Sequence, residues 1–401
     1  MDDLARWRAE FPILDKTVYM ISNSLGAMPR RAAESLADYA ATWSTRGVRA
    51  WEERWWNMAS EVGDKVGRII GAPPGSVSMH ENVTTAHMAA LSAFAPFGTR
   101  RRIVCTEMDF PSMIYLYRGM EGYGFELSVV PAEPDLTVRT ERLMDAIDDR
   151  TAVVALSHVL FRSSYIMDPA PVVGRAHDFG AAVILDTYQS AGIIPVDVTA
   201  LGVDFAAGGC LKWLCGGPGN AFLYTRPDLL GRLRPSFTGW LAHLHPFDFD
   251  TGPTVLRSDA RRMMNGTPSI PAYYAAIPGL DIVNEVGVER IRERSTRMTA
   301  RLLDLVDEHG FASVASRDPE RLAGTVAVNV PEAHMVASTL NARDFVVDCR
   351  PGVGIRLSPH FYNTFDELEA VMEEMARIVR NRDYAEGASG TSGARAGERP
   401  S

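Results

Sequence analysis

The chain has 401 residues, of which 46% are hydrophobic and 23% are charged, a composition typical of a folded enzyme and not of a disordered polymer. Its 41 basic and 50 acidic residues give a net charge of −9 without a run of like charges, so we expect neither a nucleic acid nor an anionic membrane as a partner. No stretch approaches the roughly 20 apolar residues of a membrane span, and the first residues lack a signal-peptide pattern. A small molecule is the expected partner.

The four cysteines are spread along the chain without a C-x-x-C pair and without a cluster at metal-ligand spacing. This distribution argues against a disulfide framework and against a zinc site, so we expect no metal. Together with the lack of a targeting pattern, it predicts a cytoplasmic protein.

Two helices are predicted between residues 30 and 70, from apolar and aromatic residues at helical spacing, with a junction near Arg46 and Gly47. From there to about residue 265, short apolar runs alternate with helical stretches. This alternation is typical of a mostly parallel sheet that is buried on both faces. The runs predicted as strands are 102–106, 125–130, 152–157, 181–186, 205–208 and 221–224.

The last third of the chain is predicted to form a smaller domain. One long helix is expected over 282–308, followed by strands at 325–330 and 345–348 and by a closing helix at 365–380. Residues 386–401 have almost nothing to bury and predict a disordered tail, with a partner-binding segment as the alternative.

Lys212 is one of only three lysines among the 41 basic residues, and it lies in the apolar, glycine-rich stretch FAAGGCLKWLCGGPG. Burial lowers the pKa of an amine, and a neutral amine can form a Schiff base with a carbonyl compound. Asp186 ends a predicted strand, where a carboxylate needs a cationic partner. The protonated ring nitrogen of pyridoxal phosphate would be such a partner.

A phosphate group would also need a binding site. The sequence Val83-Thr84-Thr85 opens a predicted helix, where free N–H groups and hydroxyls favour an anion. Each of these features has an ordinary structural alternative: a helix N-cap, a carboxylate at a strand end, or a lysine that reaches out to water. Their combination in this order favours a cofactor site.

The motifs SNSLGAMP, VTT, FPS, DTYQSAG, LKW, GW, GTPS and RPGVGIRLSPHFYNTFDE, in this order, resemble the kynureninase family within the class V, fold-type I group of pyridoxal-phosphate enzymes. The likeness extends from about residue 18 to residue 380. DTYQSAG and LKW are shared with class V aminotransferases, desulfurases and epimerases. NSLG with its following tryptophan-rich stretch, FPS, GW and RPxxGIR are more particular to kynureninases.

The resemblance implies an α/β fold of fold type I, with a large, mostly parallel sheet flanked by helices and a smaller α+β C-terminal domain. The N-terminal segment is expected to pack on the small domain and on the active site. The implied division is an N-terminal segment (1–60), a large cofactor-binding domain (61–280), a small domain (281–385) and the tail (386–401).

The resemblance also implies roles for individual residues. Lys212 would be the catalytic lysine that carries pyridoxal 5′-phosphate, and Asp186 would pair with the ring nitrogen. Arg356 would bind the α-carboxylate of an amino-acid substrate, since a guanidinium can hold a carboxylate with two hydrogen bonds. The other expected cofactor contacts are Val83, Thr84, Phe110, Ser112, Ser157, Gln189, Trp240 and Thr267, and the other expected substrate contacts are Asn23 and Ser24.

Trp240 and Thr267 would reach the cofactor of the neighbouring subunit. The resemblance therefore implies a homodimer with shared active sites.

Three positions depart from the kynureninase pattern: Leu211 replaces a tyrosine before the lysine, Met113 replaces an aspartate, and Gln189 replaces a histidine. Cofactor binding should survive these changes, but hydrolysis needs a proton delivered to the substrate, and leucine cannot relay one. The candidate substitutes are His158, Arg162, Tyr165 and Tyr188.

The sequence thus predicts a pyridoxal-phosphate enzyme of amino-acid metabolism that is kynureninase-like, splitting kynurenine or 3-hydroxykynurenine into an anthranilate and alanine. The alternatives are a class V aminotransferase, a racemase or epimerase, or a C–S β-lyase that acts on another amino acid. A desulfurase is less favoured because Cys349, near Arg356, lies in a predicted strand instead of a mobile loop. A cofactor-binding module without turnover is also less favoured, because such a protein would need none of Lys212, Asp186 and Arg356.

Overall fold

The structure, a computed structural model, describes residues 3–94 and 100–384. After two short 3-10 helices the chain forms strand β1 (Val18–Tyr19) and helices α1 (Arg30–Arg46) and α2 (Trp56–Ile70). A π-helical turn at Trp51–Trp55 leads directly into α2. The predicted pair of helices is confirmed, and Gly47, with a φ of +55°, ends the first one.

The next part of the chain builds a seven-stranded sheet within the described residues. All six predicted strands are present, and a further strand, β2, was missed. In space the order is β2-β8-β7-β6-β5-β3-β4, with β3 to β7 parallel and β2 and β8 antiparallel to their neighbours. The strands are β2 (Val77–His80), β3 (Arg102–Thr106), β4 (Glu126–Val130), β5 (Thr151–Ser157), β6 (Ala182–Asp186), β7 (Phe205–Gly209) and β8 (Ala221–Thr225).

Helices cover the sheet on both sides, which explains why β5, β7 and β8 are buried along their whole length. Asn82 caps the first of these helices, so the predicted helix start at Val83 is confirmed. The helices are α3 (Val83–Ser92), α4 (Pro111–Gly119), α5 (Thr140–Asp145), α6 (Ala170–Asp178), α7 (Val198–Leu201), α8 (Pro227–Leu230) and α9 (Ile270–Val286).

The single helix predicted over 282–308 is wrong. Gly287 adopts a φ of +86°, which an α-helix cannot accommodate, and it separates α9 from α10 (Val288–Glu308). The remaining elements are β9 (Val326–Val328), α11 (Ala333–Ala342), β10 (Phe345–Val346), β11 (Asp348–Arg350), β12 (Gly354–Leu357) and α12 (Phe365–Asn381).

A second, antiparallel sheet has the order β11-β12-β9 and packs with α10, α11 and α12 around its own hydrophobic cluster. The N-terminal segment joins this unit, because β1 pairs in parallel with β10 and Met20 lies in the same cluster. Ile21 forms a further bridge with Ser358. The domain boundaries themselves stay a prediction, and the predicted disordered tail lies outside the described residues.

Within 3–94 and 100–384, no helix combines the length and apolar character that crossing a bilayer requires. In the same ranges, His, Cys, Asp and Glu side chains nowhere gather in groups of three that could hold a metal ion.

Candidate active site

A cavity of about 350 Å³ opens where the parallel strands of the large sheet end. Ser157 and Asp186 are the last residues of β5 and β6, Lys212 follows β7, and Phe110 follows β3. Ligands in open α/β sheets bind at this edge, so the topology alone makes the cavity the candidate site. The predicted site residues that line it are Asn23, Ser24, Val83, Thr84, Phe110, Ser112, Ser157, Asp186, Gln189, Lys212 and Arg356.

Two predicted site residues lie elsewhere. Trp240 and Thr267 line a different cavity, of about 950 Å³, together with Trp56 and Phe247. The rings of Trp56 and Trp240 are 5.3 Å apart, and Trp240 is half-exposed. One chain therefore does not bring these two residues to its own Lys212.

Lys212 and Asp186 are an oppositely charged pair whose protonation is set mainly by burial. Burial, helped by the charges of Arg356 and Arg350 and opposed by that of Asp186, lowers the pKa of Lys212 to about 8. Burial, opposed by a hydrogen bond from the Tyr188 N–H and by the charge of Lys212 and helped by that of Asp109, raises the pKa of Asp186 to about 6. At pH 7 about a tenth of Lys212 is thus the neutral amine that attacks a carbonyl, a much larger fraction than for an ordinary lysine.

Asp109 is a buried carboxylate below the site that the sequence analysis missed. One of its oxygens accepts hydrogen bonds from the N–H (2.9 Å) and the hydroxyl (2.5 Å) of Ser157. The other accepts from the N–H (2.7 Å) and the hydroxyl (3.0 Å) of Thr106. Asp109 therefore ties together the ends of β3 and β5. Since the Ser157 hydroxyl donates to Asp109, it can only accept a hydrogen bond from a ligand.

The first turn of α3 faces the cavity with free backbone donors. The side chain of Asn82 accepts a hydrogen bond from the Thr85 N–H at 3.0 Å and so caps the helix. In the first turn of a helix the backbone N–H groups have no carbonyl acceptor within the helix. Val83 and Thr84, which precede Thr85 in this turn, line the cavity. Helix N-termini of this kind bind phosphate groups.

Arg356 is buried on β12 and is held by two neighbours. Its Nε donates to Asp348 Oδ1 at 2.8 Å, its Nη2 donates to the second oxygen of the same carboxylate, and its Nη1 donates to the Phe161 carbonyl at 2.8 Å. Each terminal nitrogen carries a second N–H, so the guanidinium keeps one unused pair of donors that matches a carboxylate.

Arg350 is a second guanidinium at the cavity, and it pairs with Asp348 at 3.0 Å. It belongs to the RPGVGIR motif, in which only Arg356 was predicted to bind a ligand. Asp348 was missed altogether, because its importance depends on the pairing of β11 with β12.

The N-terminal loop closes one side of the cavity. The Gly26 N–H donates to the Leu211 carbonyl at 2.8 Å, and a Cβ at Gly26 would lie 2.1 Å from the Lys212 carbonyl oxygen. Gln189 donates from Nε2 to the Asn23 carbonyl at 3.0 Å and accepts from Trp213 Nε1 at 3.1 Å. Both polar atoms of the Asn23 amide are buried and unpaired within the described residues, so they are available to a ligand.

All three positions that depart from the kynureninase pattern lie at the cavity. Leu211 and Met113 line it with apolar side chains, and Gln189 lines it with a polar one. Of the four candidate substitutes for the missing proton donor, Tyr188 lines this cavity. Of the other three, His158 is buried, and its pKa is lowered to about 4 by burial.

Cys349 lies in the middle of β11 and packs against the hydrophobic cluster of the small sheet. The thiols of Cys210 and Cys215 are buried, and burial raises the pKa of each to about 12. These three thiols are therefore poorly suited to act as nucleophiles in the cavity.

The sequence matches the family model for class-V aminotransferases over residues 18–371. An uncharacterized aminotransferase, YcbU, from Bacillus subtilis (strain 168) is 30% identical over 375 residues, which cover 92% of this chain and 97% of that protein. A kynureninase from Bacillus thuringiensis subsp. konkukian (strain 97-27) is 30% identical over 399 residues, which cover 96% of this chain and 93% of the relative.

Solved structures share the fold. A cysteine desulfurase from Thermococcus onnurineus NA1 gives a TM-score of 0.83 at 22% identity, covering 94% of this chain and 98% of that one. A C-DES variant with glycine covalently linked to its PLP cofactor also gives 0.83, at 20% identity, covering 92% of this chain and 98% of that one. The predicted α/β architecture of fold type I is confirmed.

Proposed function

Because the chain belongs to the class-V aminotransferase family, whose enzymes use pyridoxal 5′-phosphate, we propose that it is a kynureninase-like enzyme that acts on an α-amino acid. The reaction would be hydrolysis of the Cβ–Cγ bond of kynurenine or 3-hydroxykynurenine, which yields an anthranilate and alanine. One observation carries the proposal: residues of three of the four motifs more particular to kynureninases, NSLG, FPS and RPxxGIR, line the same cavity as Lys212. The 30% identity to a kynureninase over nearly the whole chain supports it.

The residues around the cavity fit pyridoxal phosphate. Lys212 offers an amine, Asp186 offers a carboxylate for the ring nitrogen, and the start of α3 offers N–H donors for the phosphate. Phe110, exposed at the cavity, offers a ring face. The bound cofactor supplies an electron sink for a carbanion at the substrate Cα.

The chain's own residues would orient the substrate and move its protons. Arg356 would bind the α-carboxylate with its unused pair of N–H donors, and the unpaired amide of Asn23 would give a further hydrogen bond. Lys212 Nζ would take the proton from Cα, a role that suits an amine whose pKa is lowered to about 8. Since Leu211 cannot relay a proton, Lys212 Nζ would also pass to Cβ the proton of the attacking water, whose hydroxyl goes to Cγ, and would give the first proton back to Cα.

A second candidate function is transamination, racemisation or C–S β-elimination on another amino acid. The observation that favours it is that Leu211 lines the cavity. Kynurenine hydrolysis would be faster with a side chain at this position that can relay a proton, and leucine cannot. The relative named as an uncharacterized aminotransferase agrees with this option. A cysteine desulfurase is not favoured, because Cys349 packs away from the cavity. A module without turnover is also not favoured, because Lys212, Asp186 and Arg356 are assembled together.

The proposal includes a cytoplasmic homodimer that takes part in tryptophan catabolism. Trp240 and Thr267 would complete the cofactor site of the partner, which agrees with their position in a separate cavity. The neighbouring surface exposes 58% of Phe247 and 73% of Phe249, an apolar area that a second copy could cover.

The experiment that tests the proposal follows the anthranilate and alanine formed from kynurenine and from 3-hydroxykynurenine by the cofactor-loaded protein. The proposal expects both products in equal amounts, and none with Lys212→Ala. Amino-group transfer to a 2-oxo acid, with no anthranilate formed, would replace it by the second candidate.

A further inference from the structure

Lys212 is accompanied by two aromatic rings. Its Nζ lies 4.4 Å from the ring centroid of Tyr188 and 5.7 Å from that of Phe110. The sequence resemblance assigns Phe110 to the cofactor but leaves the Tyr188 ring without a role in cofactor binding. Both aromatic side chains line the cavity.

The position of Tyr188 is built by its surroundings. Its N–H donates to Asp186 Oδ1 at 2.8 Å, which fixes the backbone directly beside the carboxylate that we assign to the cofactor ring nitrogen. The phenol lies against Gly209, where a Cβ would approach Tyr188 Cζ to 2.3 Å and its hydroxyl oxygen to 2.4 Å. Only glycine, which has no Cβ, leaves space for the Tyr188 ring at position 209, the last residue of β7.

We propose that Tyr188 is a positioning residue that forms, with Phe110, a pair of aromatic walls holding Lys212 Nζ and the cofactor attached to it. The π face of Tyr188 attracts the ammonium form of Lys212 and restricts the amine to the space between the rings. The ring and not the hydroxyl performs this role, because Nζ lies over the face of the ring. The inference rests on the proposed role of Lys212 as the cofactor lysine.

The test compares the affinity for pyridoxal phosphate of three variants by equilibrium dialysis, without any amino-acid substrate. Tyr188→Phe keeps the ring and should bind within twofold of the unchanged protein. Tyr188→Ala and Tyr188→Leu remove the ring, and each should bind at least tenfold more weakly. Leucine retains much of the side-chain volume, so it decides the question if the alanine variant fails to fold. The exposed Tyr123, changed to alanine, is the matched control.

A second readout is the pH titration of the visible absorption band of the bound cofactor. The midpoint should be unchanged in Tyr188→Phe and displaced in Tyr188→Leu, which a purely structural role would not produce. Weak binding by Tyr188→Phe would assign the role to the hydroxyl and overturn the inference. Tight binding by Tyr188→Leu would overturn it as well. If kynurenine is not cleaved but this pattern of affinities is found, the proposed reaction fails while the inference stands.

Discussion

The carboxylate of Asp348 accepts hydrogen bonds from both Nε and Nη2 of Arg356 on the neighbouring strand of the small sheet. Arg356 is only 2% exposed, so its charge would be costly to bury without this partner. The pairing also turns the guanidinium so that its unused donors remain for a ligand. Asp348 thus both compensates and orients the group that we assign to the substrate carboxylate.

We expect Arg356→Lys to raise KM for the amino-acid substrate about 10- to 100-fold with a smaller change in kcat. Lysine keeps the positive charge but cannot form the bidentate hydrogen bonds of a guanidinium with a carboxylate. Losing one hydrogen bond to a charged group costs about 1.5–3 kcal/mol. Steady-state kinetics with the active substrate measure this split. An unchanged KM would show that Arg356 does not bind the carboxylate, and Arg350→Lys is the matched comparison.

Asp348→Asn should destabilise the protein by about 3 kcal/mol, because it leaves the buried guanidinium without a counter-charge. Urea unfolding at pH 7.5 measures the change in the free energy of unfolding. As a control, Asp307→Asn removes the partner of Arg317 in an exposed ion pair, so it should cost less than about 1 kcal/mol. Equal effects of the two changes would contradict the role given to Asp348.

Borohydride reduction of the loaded protein should attach the cofactor permanently to the peptide that contains Lys212. The chain has only Lys16, Lys65 and Lys212 as lysines, so peptide mass mapping identifies the site without ambiguity. Lys212→Ala should lose both the label and the turnover, whereas Lys16→Ala should keep both. A label on Lys65, which pairs with Asp281, would refute the assignment.

Gly26→Ala should weaken cofactor binding and lower stability, because its Cβ would collide with the Lys212 carbonyl oxygen. The N-terminal loop must then move away from the lysine and lose the hydrogen bond to Leu211. We expect a loss of about 1–3 kcal/mol, the range typical of overpacking. Thermal unfolding and cofactor titration measure it, with Gly231→Ala, where the φ is −69° and space is open, as a comparison for the added Cβ.

The rate at which the cofactor-free protein attaches pyridoxal phosphate should rise with pH and level off above about pH 8. The neutral amine is the reactive form, and burial lowers the pKa of Lys212 to about 8 against the opposing charge of Asp186. Well below that pH the rate should fall about tenfold for each pH unit, because the fraction of Lys212 that is neutral falls tenfold. A rate that continues to rise beyond pH 10 would indicate an ordinary, exposed lysine.

The buried parallel strands could be predicted from the sequence because their apolar runs are continuous and end at residues such as Asp186 that carry chemistry. The short strand β12 and the function of Asp348 could not, since both depend on which strands pair. Asp109 was missed because its four hydrogen bonds join residues from two strands. The break at Gly287 was missed because apolar residues continue on both sides at helical spacing.

The pairing of β1 with β10 and the bridge between Ile21 and Ser358 attach the segment that carries Asn23 to the unit around the small sheet. Hydrogen bonds from Gln189 to the Asn23 carbonyl and from Gly26 to the Leu211 carbonyl attach the same segment to the Lys212 side of the cavity. The N-terminal loop therefore crosslinks the two sides of the site. Any rotation of the small sheet that moves Arg356 would strain these crosslinks, so the loop would couple the position of Arg356 to that of Lys212.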